Sequence, residues 1–257
     1  MTDLNAIAQR VDEAARTGTA IEQLSTSGSA LSLEQAYQVQ ATSIDRRLDR
    51  GEQLVGVKMG FTSRAKMIQM GVEDMIWGRL TDAMTLDNGA TLSLAGYVHP
   101  RIEPEVAFRL KSPLSGTISI EEAKAAIDGV AVAMEIIDSR YQNFKFSLED
   151  VVADNSSSSS YVIGPWCEPL DDISDLAMTL AFDGETVQAG SSQDILGNPY
   201  ESLVEAARLA ADAGMTLEAG WVVLAGAATA AEALRPGISV NTSAEQLGSV
   251  SLNIADK

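Results

Sequence analysis

The stretch HPRIEPEVAF, residues 99–108, alternates in the manner of a β-strand, yet two glutamates bracket a proline within it. Successive side chains on a strand point to opposite faces, so Arg101, Glu103 and Glu105 share one face and Ile102, Pro104 and Val106 the other. Two carboxylates that close repel each other unless a cation lies between them. Pro104 cannot donate to a sheet ladder, which predicts a sheet edge or a bulge at that point. Taken alone, the motif reads more readily as a solvated strand face.

A second stretch, GVAVAMEIIDSR at 129–140, changes that reading. Glu135 is the only charged residue from Val130 to Ile137, in a run that reads as a strand buried on both faces. A lone carboxylate there costs on the order of several kcal/mol, so it must be protonated, paired with a base or bound to a metal. Three glutamates with no cysteine or histidine among them suit a hard ion, Mg²⁺ or Mn²⁺, better than zinc. Glu103, Glu105 and Glu135 are therefore candidate metal ligands. In LVGVKMGF, residues 54–61, Lys58 faces away from the apolar Val55, Val57, Met59 and Phe61. Gly56 and Gly60 on either side would let a ligand approach the backbone, the alternative being a surface lysine on an edge strand.

Outward from these strands the chain divides in two. Leu4, Ile7, Ala8, Val11, Ala14 and Ala15 form one helical face that ends at Thr17-Gly18. A second helix opens on the capping-box spacing Ser32-x-x-Gln35 and carries Tyr37, Ala41, Ile44 and Leu48 as its stripe. Thereafter short strands are predicted at 54–61, 98–110, 130–137, 160–164, 177–183, 221–225 and 247–254, with helices at 63–71, 120–128, 147–153 and 199–213. The expected organisation is a helical N-terminal region, 1–52, followed by a β-rich metal-binding catalytic domain, 53–257.

Composition narrows the partners. Eighteen basic against 36 acidic residues give a net charge of −18, which argues against nucleic acid and against an anionic membrane surface. A single cysteine, Cys167, can form neither an internal disulfide nor a thiolate metal site, and fits a reducing cytoplasm. The sequence contains no apolar run near the ~20 residues a bilayer span needs, and no basic-then-apolar leader pattern. It also holds no G-x-S-x-G elbow for its lone His99 to serve, and no phosphate-binding glycine loop.

Six motifs carry a resemblance: GVKMGFTSRAKM (56–67), WGRLTDAM (77–84), PRIEPEVAF (100–108), EIIDSRY (135–141), VVADNSSS (151–158) and LAGAATAA (224–231). In order and wording they are similar to the hydratase/decarboxylase family of aromatic meta-cleavage pathways, within the fumarylacetoacetate-hydrolase superfamily. The resemblance implies an α+β protein with a mixed β-roll or sandwich catalytic domain. It places a Mg²⁺ or Mn²⁺ site on Glu103, Glu105 and Glu135 and the active-site lysine on Lys58. Ser157 and Ser158 match a family position near the substrate, and Arg79 or Arg101 would help Lys58 offset the excess negative charge. A homo-oligomer, in complex with the pathway hydratase, is also implied.

Two activities share this scaffold. Hydratases of the family have an acidic-aromatic-glycine triplet where this chain has Ile76-Trp77-Gly78. Hydration needs a group that manages protons and water, whereas decarboxylation creates a dienolate that an apolar wall protects. The resemblance therefore implies the decarboxylase branch, acting on a small dicarboxylic keto acid, 2-oxo-3-hexenedioate, to give 2-hydroxypenta-2,4-dienoate. Ile76 and Trp77 would then line the substrate. The alternatives are the hydratase itself, a C–C bond hydrolase of the wider superfamily, and a non-catalytic subunit that stabilises a hydratase.

Overall fold

The computed structural model describes residues 3–63, 67–68 and 74–256. Two helices lead, α1 (Leu4–Thr17) and α2 (Leu33–Asp49). Strands β1 (Leu54–Gly60), β2 (Ile76–Thr81), β3 (Thr85–Leu86), β4 (Thr91–Leu92) and β5 (Pro100–Leu110) follow. After them come α3 (Ile120–Ala125), β6 (Ile127–Asp138), α4 (Leu148–Ala153), β7 (Ser158–Ile163), β8 (Ala177–Phe182) and β9 (Glu185–Ser191). The chain ends with α5 (Pro199–Asp212), β10 (Val222–Ala227), β11 (Glu232–Ala233), β12 (Ser239–Ala244) and β13 (Gly248–Ile254). The helix predicted over 63–71 falls largely outside the described residues.

One curled sheet runs β2-β1-β10-β5-β6-β7-β3, with β11 continuing beside β5, and the second runs β4-β13-β12-β8-β9. The main sheet is mixed, since β1 pairs parallel with β10 while β5, β6 and β7 pair antiparallel. This is the α+β, roll-and-sandwich architecture that the resemblance implies. One face of the main sheet carries Val57, Met59, Ile102, Val106, Phe108, Val132, Met134 and Ile136, all buried. These pack with Met178, Leu180, Val240, Val250 and Leu252 of the second sheet and with Tyr200, Leu203 and Ala207 of α5. The apolar alternation of each strand is satisfied between layers. The other face keeps small residues, Ala107, Ala131 and Ala133, around the glutamates of β5 and β6, which leaves room for a site.

The N-terminal helices do not stand apart. Ile7, Ala8, Val11, Ala36 and Val39 share a core with Ile76, Tyr141, Val151 and Val152. The capping box of Ser32 and Gln35 forms as the sequence predicts. The buried face of α2 is, however, rotated about one residue from the expected stripe, to Ala36, Val39, Gln40, Ser43 and Ile44. The cause is polar: the Gln40 amide donates to the carbonyls of Trp77 and Val152, each at 3.0 Å, and ties α2 to β2 and α4. Three long strands went unpredicted. In β2 an arginine and a glycine interrupt the apolar run, β9 is mostly exposed, and β12 alternates on serine, asparagine and threonine.

Pro104 corrects a further expectation. Strand β5 is interior, paired with β6 from Pro100 to Leu110, so no edge lies there. The Pro104 carbonyl accepts from Ala228, so its nitrogen faces the same neighbour, and the irregularity sits across from it in β10, between Leu224 and Ala227. A bulge on the partner strand accommodates the missing donor.

Candidate active site

Glu103 and Glu135 are direct partners in the β5–β6 ladder, and Glu105 is the next residue on the same face of β5. Register alone thus brings three carboxylates together, with one oxygen from each within 4.8 Å of the others. Glu105 and Glu135 are fully buried and Glu103 nearly so. The backbone N–H of Gly226 donates to Glu105 Oε2 at 2.8 Å. Gly226 has φ of 104°, and a Cβ there would lie 2.2 Å from Thr62 Oγ1, so only glycine lets the β10 bulge aim that N–H inward.

Glu105 Oε1 and both oxygens of Glu135 are buried and accept no hydrogen bond among the described residues. Burial, followed by the charges of Glu135 and Glu103, pushes the Glu105 carboxyl well above the usual carboxylate range. Buried oxygens aimed at one point without donors are the arrangement a hard divalent cation completes. The residues fit Mg²⁺ or Mn²⁺, and Glu103, Glu105 and Glu135 could hold it.

Lys58 closes the cluster from β1. Its Nζ lies 2.8 Å from Glu135 Oε2, at ion-pair distance though not aligned as a hydrogen bond, and donates to the Ser156 carbonyl at 3.2 Å. Burial pulls its pKa down, but Glu135, Glu103 and Glu105 outweigh burial and hold the ammonium above the ordinary lysine range. Strand β1 lies between β2 and β10, so the surface-lysine alternative fails. Gly56 serves packing rather than a ligand: a Cβ there would meet the Val222 carbonyl oxygen of β10.

Lys58 and Glu103 of this cluster line a cavity of about 470 Å³. Its wall is apolar, made of Ile76, Phe61, Ile137, Phe144, Phe146 and Val151, with Arg101 and Ser157 as further polar members. The half-buried Arg101 shares the strand face of Glu103 and stacks its guanidinium over the Phe144 ring at 4.6 Å. Ser158 stands just behind; its carbonyl accepts from Arg140 and its buried hydroxyl has no partner.

Strand alternation separates the remaining expected residues. Lys58 pairs with Gly78, whereas Trp77 pairs with Met59 and Arg79 with Val57, so Trp77 and Arg79 point to the opposite face from the glutamates. They line a second cavity of about 450 Å³, shared with Tyr37 and Leu209. There Trp77 stacks on Tyr37, and Arg79 lies over Trp77 and donates to Gln40 Oε1 at 2.5 Å. The expectation that Trp77 and Arg79 meet the substrate is corrected by this placement; Ile76 alone of its triplet reaches the site by side chain. Asp138 ends β6 and accepts from the backbone N–H groups of Val98 and His99.

Ser156, Phe144, Phe146, Ile137 and Val151 were not anticipated. Four of the cavity residues, Phe61, Phe144, Ser156 and Ser157, have positive φ. Such strain gathers at functional sites, yet nothing in a phenylalanine or a serine run announces it.

The profile described as fumarylacetoacetate (FAA) hydrolase C-terminal matches residues 53–255. The chain is 55% identical over 250 residues to a 4-oxalocrotonate decarboxylase from a Pseudomonas species, covering 97% of each. It is 32% identical over 248 residues to 2-keto-4-pentenoate hydratase of Paraburkholderia xenovorans LB400, covering 95% of this chain and 91% of that one. Among solved structures, 4-oxalocrotonate decarboxylase from Pseudomonas putida G7, complexed with magnesium and adipate, superposes with a TM-score of 0.94 at 35% identity. That match covers 98% of this chain and 97% of the other.

Proposed function

The chain belongs to the fumarylacetoacetate-hydrolase family, and on that footing we propose that it is a carboxy-lyase: it decarboxylates 2-oxo-3-hexenedioate (4-oxalocrotonate) to 2-hydroxypenta-2,4-dienoate in the breakdown of aromatic compounds. One observation carries the chemistry. Three carboxylates converge, two of them with buried oxygens that accept no hydrogen bond among the described residues, and Glu103 and the Lys58 ammonium line an apolar-walled cavity beside them.

A divalent ion held by Glu103, Glu105 and Glu135 supplies, when bound, the Lewis acidity that lets a 2-keto acid accept the electron pair left by CO₂. Lys58, fixed between Glu135 and the Ser156 carbonyl, keeps a positive charge at the cavity floor and orients an anionic substrate there. Three carboxylates and a dianionic substrate outweigh one divalent ion, so a second cation is needed. Arg101, braced on Phe144, takes that role at the carboxylate that is lost. Ser157, in the cavity lining, hydrogen-bonds the substrate, with Ser158 next to it in the chain. Ile76, Ile137, Phe144, Phe146 and Val151 exclude water, which protects the dienolate from early protonation and strengthens every charge interaction inside. No acidic side chain from the 76–78 segment enters this wall, which favours decarboxylation over hydration.

The product is a dienol that tautomerises in free solution, which gives the enzyme a reason to work as a homo-oligomer bound to the hydratase that consumes it. The single cysteine supports a cytoplasmic setting. Among the described residues no helix is long and apolar enough to cross a membrane.

The test is to load the protein with Mg²⁺ or Mn²⁺, add 2-oxo-3-hexenedioate, and follow CO₂ together with dienol absorbance. CO₂ release with dienol formation is expected. Water addition to the dienol without CO₂ would instead make it a hydratase, and silence in both assays, even with a partner hydratase present, would make it a stabilising subunit.

A further inference from the structure

We propose that Asn155 is a positioning residue, whose side-chain amide clamps a strained turn to the edge of the main sheet and so presents the Ser156 carbonyl to Lys58. The inference rests on the role given above to Lys58. Asn155, Ser156 and Ser157 are consecutive residues in the left-handed region, with φ of 50°, 51° and 59°. For residues with a Cβ such a run is unfavourable, and it persists only where its surroundings hold it.

The surroundings are specific. Strand β2 is the edge of its sheet, so its outward polar groups lack strand partners. The Asn155 amide fills that place: Arg79 N–H donates to Asn155 Oδ1 at 2.8 Å, and Asn155 Nδ2 donates to the Arg79 carbonyl at 2.9 Å. One residue on, Ser156 Oγ donates to the Trp77 carbonyl at 2.7 Å, the same oxygen that receives Gln40. Gly78, between the two anchoring points, has no Cβ, and one placed there would lie 2.6 Å from the Asn155 carbonyl oxygen. The turn can therefore lie flat on the strand. Its reward is the Ser156 carbonyl, 3.2 Å from Lys58 Nζ. A side chain that acts as one more strand thus aligns the lysine on the far side of the turn.

Asn155→Gly separates the clamp from the strain, because glycine accepts the left-handed backbone but has no amide. The variant is expected to lose about 100-fold in activity, mostly in kcat rather than KM, as a displaced orienting group does. Its Mn²⁺ affinity by titration calorimetry stays within about twofold, and amide exchange across 154–160 rises about tenfold or more while β6 is unchanged. Asn155→Asp, which keeps the acceptor and loses the donor, falls between glycine and wild type. Wild-type kcat in Asn155→Gly, or unaltered exchange across 154–160, overturns the proposal. If the glycine variant does not fold, Ser156→Ala decides: about a tenfold loss of kcat, one hydrogen bond's worth, supports the clamp, and an unchanged kcat overturns it. Wild-type protein that releases no CO₂ would remove the decarboxylase reading, and the exchange comparison would still judge the clamp.

Discussion

Two buried charge clusters touch the same serine-rich turn, and they are built on opposite terms. Arg140 and Asp154 form a closed pair. Arg140 Nε donates to Asp154 Oδ1 at 2.6 Å, its backbone N–H donates to Oδ2 at 2.9 Å, and the rest of the guanidinium reaches the carbonyls of Asp154 and Ser158. Burial, opposed by Arg140, pushes Asp154 up to about 6, so the carboxylate is still ionised at neutral pH. The glutamate cluster is open: Lys58 pairs with Glu135, and buried oxygens of Glu105 and Glu135 accept no hydrogen bond among the described residues. The same price of desolvation is met in full by the chain itself in the first case and only in part in the second. A satisfied buried charge is architecture, and an unsatisfied one marks a site.

The comparison is sharpest where one substitution should move function and stability in opposite directions. Glu105→Gln keeps the shape and still accepts from Gly226, but removes a ligand charge. Turnover should fall by about a thousandfold or more. The metal-free protein should nevertheless melt a few degrees higher, because one of three repelling carboxylates is gone. Mn²⁺ should raise the Tm of the wild type and barely that of the variant, and chelator-stripped wild type should be inactive. Parallel thermal melts and CO₂ assays check all of this; a lower metal-free Tm in the variant would mean that the cluster is closed after all.

Arg140→Met is the counterpart. It strands Asp154 without its cation, and the expected cost is about 3–5 kcal/mol of stability, read by denaturant unfolding. Whatever fraction stays folded should bind Mn²⁺ with near-normal affinity, since Arg140 touches none of the three glutamates. A variant that kept its stability but lost metal affinity would reverse the assignment of the two clusters.

Much of the open cluster was legible in the sequence, because strand alternation and register are local rules. Glu103 and Glu105 share a face by period two, and Glu135 is conspicuous as the sole charge in an apolar run. The closed cluster was invisible. Arg140 and Asp154 meet only because the chain doubles back through α4, and no spacing encodes that return. The cavity wall was equally hidden, since Phe144 and Ser156 reach it through left-handed backbone that their side chains disfavour. The bulge opposite Pro104 was half legible: the missing donor was plain, but which strand would yield depended on Gly226, more than a hundred residues later.

Lys58→Met tests the ammonium of the open cluster. Removing it should lower kcat/KM about 100-fold, the scale for loss of one charged contact at a reacting centre. Mn²⁺ affinity should not weaken and should rise severalfold, since Glu135 loses a competing partner. Near-normal kcat/KM in this variant would leave Lys58 without its role in orienting the substrate.

The smallest effect separates the two faces of the sheet. Arg79 and Arg101 are both partly or wholly buried, and both lie over an aromatic ring at 4.6 Å. By composition alone they are interchangeable candidates for a substrate carboxylate. Pairing register distinguishes them, for Arg101 stands on the strand face of Glu103 while Arg79 stands on that of Val57. Burial, only partly offset by Asp45, pulls the Arg79 pKa down to about 10, so its charge is uncomfortable where it lies and its removal relieves desolvation as it forfeits the Gln40 contact. Arg79→Gln should therefore leave kcat/KM within about threefold of wild type, because the turn is held by the Arg79 backbone and not by its side chain. Arg101→Gln should raise KM about tenfold, the worth of one charge-assisted hydrogen bond to an anionic substrate. Steady-state kinetics on the pair gives the answer in one comparison, and equal effects from the two arginines would mean that the substrate reaches round the edge of β2 into the second cavity.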